Sequence, residues 1–137
     1  MRRPVPPYNV PLIDQAGQTS TVWWDFFARM GRQDKQIGLI YSASITFDAS
    51  AGDMFVITAT NGTAFTINAP ASPINGMVIT VRIRNTSGGA LGVITWNAVF
   101  KMPAFTSPGN GNSRAVTFDY DGANWVQRYQ SAADVPN

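Results

Sequence analysis

The run Met77–Arg84 limits the fold of this chain more than any other stretch. Met77, Ile79, Val81 and Ile83 alternate with Val78, Thr80, Arg82 and Arg84. That is the period of two with which a strand turns one face to a core and the other outward. Asn85-Thr86-Ser87-Gly88-Gly89 follows, residues that bond to their own backbone or tolerate positive φ, and predicts the strand's end. Farther on, Val116-Thr117-Phe118-Asp119-Tyr120 and Trp125-Val126-Gln127-Arg128-Tyr129 flank Asp121-Gly122. Asp-Gly meets the positive φ that a type I′ turn needs at both central residues. A two-residue loop there sets Phe118 opposite Trp125, an aromatic cross-strand pair.

The same period recurs upstream. Ile45 and Phe47 alternate within Ala43–Ala49, and Met54–Ala59 with Ala64–Ala69 reads as a hairpin. A loop of Thr60, Asn61 and Gly62 sets Ile57 against Phe65 and Phe55 against Ile67, with Gly62 in the left-handed position of a bulge. Register decides for this loop over Asn61-Gly62 alone, because a slip of one residue would expose the whole apolar face. With Leu91–Trp96 and Val99–Lys101 there are about seven or eight short strands separated by turn signals. The expectation is an all-β fold, a single jelly-roll-like β-sandwich over residues 41–137 that ends in the polar tail Ser131–Asn137.

Residues 1–40 differ in kind. Pro4, Pro6, Pro7 and Pro11 remove backbone donors and hold their neighbours extended, so this stretch predicts an arm. Val5, Tyr8, Val10, Leu12 and Ile13 are nevertheless apolar, which a solvated tail would not require. Tyr8, Val10, Leu12 and Ile13 are therefore the candidate residues for docking on another protein. One short aromatic helix follows. Thr19, Ser20 and Thr21 offer N-cap hydroxyls, Asp25 and Arg29 stand four apart, and Gly31 can close the C-terminus. Val22, Trp23, Phe26, Phe27 and Met30 form its apolar stripe, with Trp24 to the side. So much aromatic surface on three turns makes Trp23, Trp24, Phe26 and Phe27 candidates for an oligomer interface. The competing assignment has the helix cap its own β-domain. Gly31-Arg32-Gln33-Asp34-Lys35 is a polar link to the strands.

The succession RNTSGGALGVITW, VFK, TFDYDGANWVQRY and a terminal DVPN resembles the C-terminal β-module of tailed-bacteriophage virion appendages: tail fibres, spikes and capsid decorations. The resemblance covers roughly the last half of the chain. VPLIDQAGQTSTVWWDFFARM is similar, more weakly, to the leader of phage tail and fibre subunits. The resemblance implies a homotrimeric structural subunit without catalytic activity, whose partners are copies of itself and other virion proteins. A fibre or spike and a capsid-decorating cement protein both fit it. From a different class, a free carbohydrate-binding module would use exposed Trp96 or Trp125 to stack on sugar rings.

Composition narrows the chemistry. The 137 residues include no Cys and no His, which excludes disulfides, thiolate metal sites and the commonest general base and metal ligand. No metal and no cofactor is expected. All eight acidic residues are Asp. Of the close pairs, Asp121 is a turn residue, while Asp48 and Asp53 frame a loop, so a two-carboxylate glycosidase is not supported. Asp-Tyr-Asp-Gly echoes a calcium loop without its later ligands. Gly88-Gly89 and Gly109-Asn110-Gly111 open no helix that could cradle phosphate. Charged residues make up only 13% of the chain, a composition suited to a subunit largely covered by partners. The net charge of +2 is too small for a general nucleic-acid binder. No run of about 18 apolar residues offers a membrane span. Met1-Arg2-Arg3 leads into prolines instead of the apolar core of a signal peptide. The expected place is the virion, after folding and assembly in the bacterial host cytoplasm.

One feature remains. No acidic residue occurs between Asp53 and Asp119, an interval that holds Arg82, Arg84, Lys101 and Arg114. Arg82 and Arg84 share one face of one strand and are the candidate face for an anionic partner, a capsid surface or a host-surface glycan. The competing explanation is that these charges only keep a sheet from sticking to other sheets.

Overall fold

The structure, a computed structural model, describes residues 35–137 and, ahead of them, Pro11, Ser20, Val22, Trp23, Phe26 and Phe27. The chain divides into two units, residues 1–34 and 35–137, each taken by itself below. In the first, the backbone is helical at Val22, Trp23, Phe26 and Phe27, and Trp23 N–H donates to Ser20 O at 3.1 Å. The rings of Trp23, Phe26 and Phe27 stand together, with centroids 5.6, 5.6 and 5.5 Å apart. The predicted arm residues Tyr8, Val10, Leu12 and Ile13, and Trp24 of the helix, lie outside the described residues.

The second unit is mostly β, as the alternation predicts. Its strands are β1 (Gln36–Leu39), β2 (Ser44–Ile45), β3 (Met54–Ala59), β4 (Phe65–Ile67), β5 (Val78–Asn85), β6 (Ile94–Trp96), β7 (Phe100–Lys101), β8 (Asn112–Tyr120), β9 (Trp125–Gln130) and β10 (Val135–Pro136). A 3-10 turn, Ala49–Ala51, separates β2 from β3. The strands form two sheets. The larger runs β1-β3-β5-β8-β9-β7, with β10 on β8, and the smaller runs β2-β4-β6.

The order of those strands corrects the jelly-roll expectation. Successive strands alternate between the sheets and return in parallel. Gln36 pairs with Met54 and Met54 with Thr80 in the large sheet; Ser44 pairs with Thr66 and Phe65 with Ile94 in the small one. The chain therefore winds as a solenoid-like coil, where a jelly roll would fold back in antiparallel hairpins. Among the described strands only β5-β8-β9 and β8-β10 are antiparallel. The expected β3–β4 hairpin is likewise absent. At Asn61-Gly62 the chain crosses to the other sheet, and Phe65 and Ile67 reach the same core from its far side. Alternation is satisfied by either arrangement, because period two specifies a face and not a neighbour.

Ile45, Phe47, Phe65 and Ile67 from the small sheet share one buried cluster with Phe55, Ile57, Ile79, Val81, Ile83, Val116 and Phe118 from the large one. Phe47 and Phe55 meet with ring centroids 4.3 Å apart. Close stacking of coils requires a missing side chain where corners touch. A Cβ on Gly92 would lie 2.6 Å from Ala64 N and from Gly62 O, distances that backbone cannot accommodate.

The β8–β9 hairpin stands where the sequence places it, with a different register. Tyr120, not Phe118, faces Trp125, and Phe118 faces Gln127. The loop is Asp121–Asn124: Asp121 N–H donates to Asn124 O, and the Asp121 carboxylate accepts from the amides of Ala123 and Asn124. A bulge between Thr117 and Phe118 takes up the remaining offset.

Candidate interaction surface

The outward face of the large sheet carries Arg82, Arg84, Lys101 and Arg128 against a single carboxylate, Asp119. Its register follows from β5, whose odd-numbered residues Ile79, Val81 and Ile83 are fully buried. Arg82 and Arg84 therefore point the other way, as their alternation predicts. Beside Arg82 lie Val56 on β3 and Ala115 on β8; beside Arg84 lie Thr58 and Ser113. Val56 is only 7% exposed although it faces outward, the burial expected where long arginine stems lie across a flat sheet. Two residues back, Thr80 Oγ1 and Thr117 Oγ1 share a hydrogen bond at 2.9 Å, and Tyr129, paired with Thr117, stands 63% exposed.

The fold sorts the basic residues of the acid-free interval into two groups. Lys101 joins the outward face, because Phe100, its inward neighbour, pairs with buried Trp125 and so sets Lys101 beside Val126. Arg114 does not. It pairs with inward-facing Ile83, and its Nε donates to Asp134 Oδ1 at 2.6 Å. Asp119 enters the outward face from β8 and is met by Arg128 Nε at 3.2 Å. That pair is locally neutral. Along β8 it stands four residues from Ala115, the partner of Arg82, or about 13 Å at the rise of a strand. Screening acts over about 8–10 Å at ordinary ionic strength, so the positive field at Arg82 and Arg84 survives. Arg82 has no ion pair or hydrogen-bond partner among the described residues, and Arg84 Nε has only Asn137 Oδ1 at 3.4 Å. The roles of Lys101 and Arg128 were missed from sequence, since both depend on which strand lies beside β9.

The carboxylates go to structure. Asp48 accepts from the amide and hydroxyl of Ser50, and those two bonds hold its pKa below the ordinary value. Asp121 is lowered by the amides of Asn124 and Ala123. Asp134 is lowered by Arg114 and by the Gly109 amide, whose N–H donates at 2.9 Å. These three are held ionised, the opposite of what a general acid needs. Asp119 and Asp121 do not converge, one lying on the sheet face and the other in the hairpin loop. Among the described residues no group of three His, Cys, Asp or Glu could hold a metal ion, and no helix is long and apolar enough to cross a membrane.

Of the two tryptophans proposed as sugar platforms, Trp125 has no surface left for stacking and Trp96 has only part of its own. Trp125 is 1% exposed, and half-buried Trp96 packs against Phe100, Phe105 and Phe118. Of the interface candidates, Phe27 is exposed while Trp23 and Phe26 are half-buried.

Replacing both arginines tests the field. Arg82→Ser with Arg84→Ser is expected to lower, several-fold, the affinity for a polyanion matrix and the salt concentration needed for elution, while the melting temperature stays nearly constant. Unchanged elution with a rise in aggregation would mean that these charges only keep sheets apart. Comparison with protein-family models, curated proteins and solved structures gives no match for this chain.

Proposed function

We propose that the chain is a non-catalytic structural protein of a tailed-phage virion: an oligomeric, trimeric appendage subunit of the fibre or spike kind. In this reading residues 1–34 attach it to the particle and residues 35–137, which begin the sheet with β1 and not at residue 41, form the outward module. The observation that carries it is the location of the phage-like stretch. Residues 76–129 supply β5, β8 and β9, the centre of the large sheet, and the outward side chains of these strands make the basic face. That face supplies charge and flat area, which suit adhesion to another surface and not bond cleavage. Trp23, Trp24, Phe26 and Phe27 are the residues proposed to join subunits, and Tyr8, Val10, Leu12 and Ile13 those proposed to dock on a neighbouring virion protein.

Capsid decoration is a second reading, and one observation favours it. Helical Phe27 and the first strand at Gln36 are separated only by residues 28–35, too short a connection for a shaft. Position in a reconstruction of the particle, on head or tail, separates the two.

Deleting residues 2–18 tests what both readings share. The truncated protein is expected to stay folded and soluble, because the coil and its core lie within residues 35–137, and to fall to background in co-sedimentation with virions. Full occupancy by the truncated protein would remove the anchoring role of the arm.

A further inference from the structure

The outward face of the small sheet differs from that of the large one in carrying no charge. All three of its strands lie in uncharged intervals: no Asp, Glu, Lys or Arg occurs between Lys35 and Asp48, between Asp53 and Arg82, or between Arg84 and Lys101. Register stacks Ser44 on Thr66 and Thr66 on Thr95. Their inward neighbours Ile45, Ile67 and Trp96 form the next row. The row after that turns outward again with Thr46, Asn68 and Asn97, where the pairing continues through Asn68 N–H to Ile45 O at 2.8 Å and Asn97 N–H to Ile67 O at 2.9 Å.

These side chains make a grid of hydroxyls and amides, bounded at one corner by Asn97, whose Oδ1 accepts from Val99 N–H at 3.0 Å. Its repeat is set by the backbone: about 4.8 Å from strand to strand and about 6.6 Å between rows. Part of the grid is fixed in advance, because Asn68 Nδ2 donates to both Ser44 Oγ at 2.8 Å and Thr46 Oγ1 at 2.9 Å. Those bonds fix the amide nitrogen between the two hydroxyls and use none of the acceptor capacity of the Asn68 carbonyl oxygen. At the β2 end the grid runs into a hollow of about 360 Å³ lined by Leu39, Ile40, Ser42, Ser44 and Thr46, among others.

We propose that this grid binds a neutral, extended polysaccharide chain. Sugar hydroxyls both donate and accept, as Ser and Thr hydroxyls do, and an extended polymer presents them at repeated intervals along one edge. A polyanion would find no counter-charge here, and a protein partner would need the apolar anchors that dominate such interfaces. Among the large apolar side chains near these strands, Val93 and Ile40 are exposed, but at the margin of the grid and not within it. Preformed hydrogen bonds within the face lower the ordering cost of binding, and the lack of charge keeps the desolvation cost small. The site is separate from the arginine face and does not depend on the virion reading.

Affinity electrophoresis of the full chain in gels containing dextran, galactomannan, mannan or hydroxyethyl cellulose tests the proposal, with polygalacturonate as the acidic comparison. Retardation is expected in at least one neutral polymer and should not change as salt is raised. Thr66→Val with Thr95→Val removes two outward hydroxyls while keeping shape and β-branching. It should weaken that retardation about tenfold or more, as loss of two hydrogen bonds implies, without lowering the melting temperature. Arg82→Ser with Arg84→Ser should leave it unchanged. No retardation in any neutral polymer would overturn the proposal. So would retardation that the double Val variant does not alter, or binding confined to polygalacturonate and lost with the arginines.

Discussion

Phe118→Ala is expected to cost about 3–5 kcal/mol of folding stability, the range for removing a buried aromatic ring. Phe118 is fully buried on β8 and its ring touches both layers, with Phe100 at 5.0 Å and Trp96 of the small sheet at 5.8 Å. Its strand neighbour on one side is Ile79, also fully buried. A cavity at this point has walls on several strands, so it cannot collapse by the shift of one side chain. At the low end of the usual total stability of about 5–15 kcal/mol, such a loss leaves the variant partly unfolded near body temperature. Denaturant titration should show the midpoint falling sharply. Tyr129→Ala, on the exposed face, should stay within about 0.5 kcal/mol of the parent. A Phe118→Ala midpoint close to that of the parent would mean that the two layers are not joined through this ring.

Asn85→Ala should have an effect of similar size by a different route, about 3 kcal/mol. The Asn85 side chain has no exposed surface, yet every polar group it carries is used. Its Nδ2 donates to Gly89 O at 2.9 Å and Pro108 O at 3.0 Å. Its Oδ1 accepts from Ser87 N–H at 3.0 Å and Ser87 Oγ–H at 2.7 Å. The backbone carbonyl accepts from Gly111 N–H and Asn137 Nδ2. Truncation would leave several of these groups without partners, at about 1–3 kcal/mol for each buried one. Asn85→Asp separates the causes. It has the same shape and still accepts from Ser87, but it turns a carboxylate oxygen toward two carbonyls. Asp should therefore be at least as damaging as Ala in thermal unfolding. If Asp behaves like the parent, the donor side of Asn85 contributes nothing.

Asn85 also marks what could be read in advance. As the first residue of Asn-Thr-Ser-Gly-Gly it identified the end of β5, because short polar side chains and glycines have few other uses there. That its amide would hold Pro108 and its backbone carbonyl Gly111 could not be seen, since these links join segments far apart in sequence. The same limit explains the topology. Burial was legible wherever apolar residues alternated, and Ile45, Phe47, Phe55, Ile57, Ile79, Val81 and Ile83 all face the core as read. Partners were not legible. In a coil each strand pairs with one a full turn away, and nothing in Met54–Ala59 distinguishes the next strand in sequence from the strand after it. The arginine face was readable because both residues lie on one strand. The polar grid was not, because each of its rows takes one residue from each of three strands.

Parallel winding has a consequence for how the molecule comes into being. Among the described residues β1 and β2 are edge strands, each hydrogen-bonded to one neighbour, β3 and β4 respectively. β3 in turn lies against β5, and β5 against β8, whose own hairpin with β9 is the one long pairing closed by a short loop. Local pairings form before distant ones, so order should spread from the carboxyl-terminal hairpin back toward β1. A ribosome delivers the strands in the opposite sequence. Residues 36–47, uncharged and rich in apolar side chains, leave the exit tunnel before the surface that will receive them exists. Extended segments of this composition are the ones that pair with the wrong chain. The outermost rung of the finished coil is thus the part of the nascent chain that waits longest and most needs shelter.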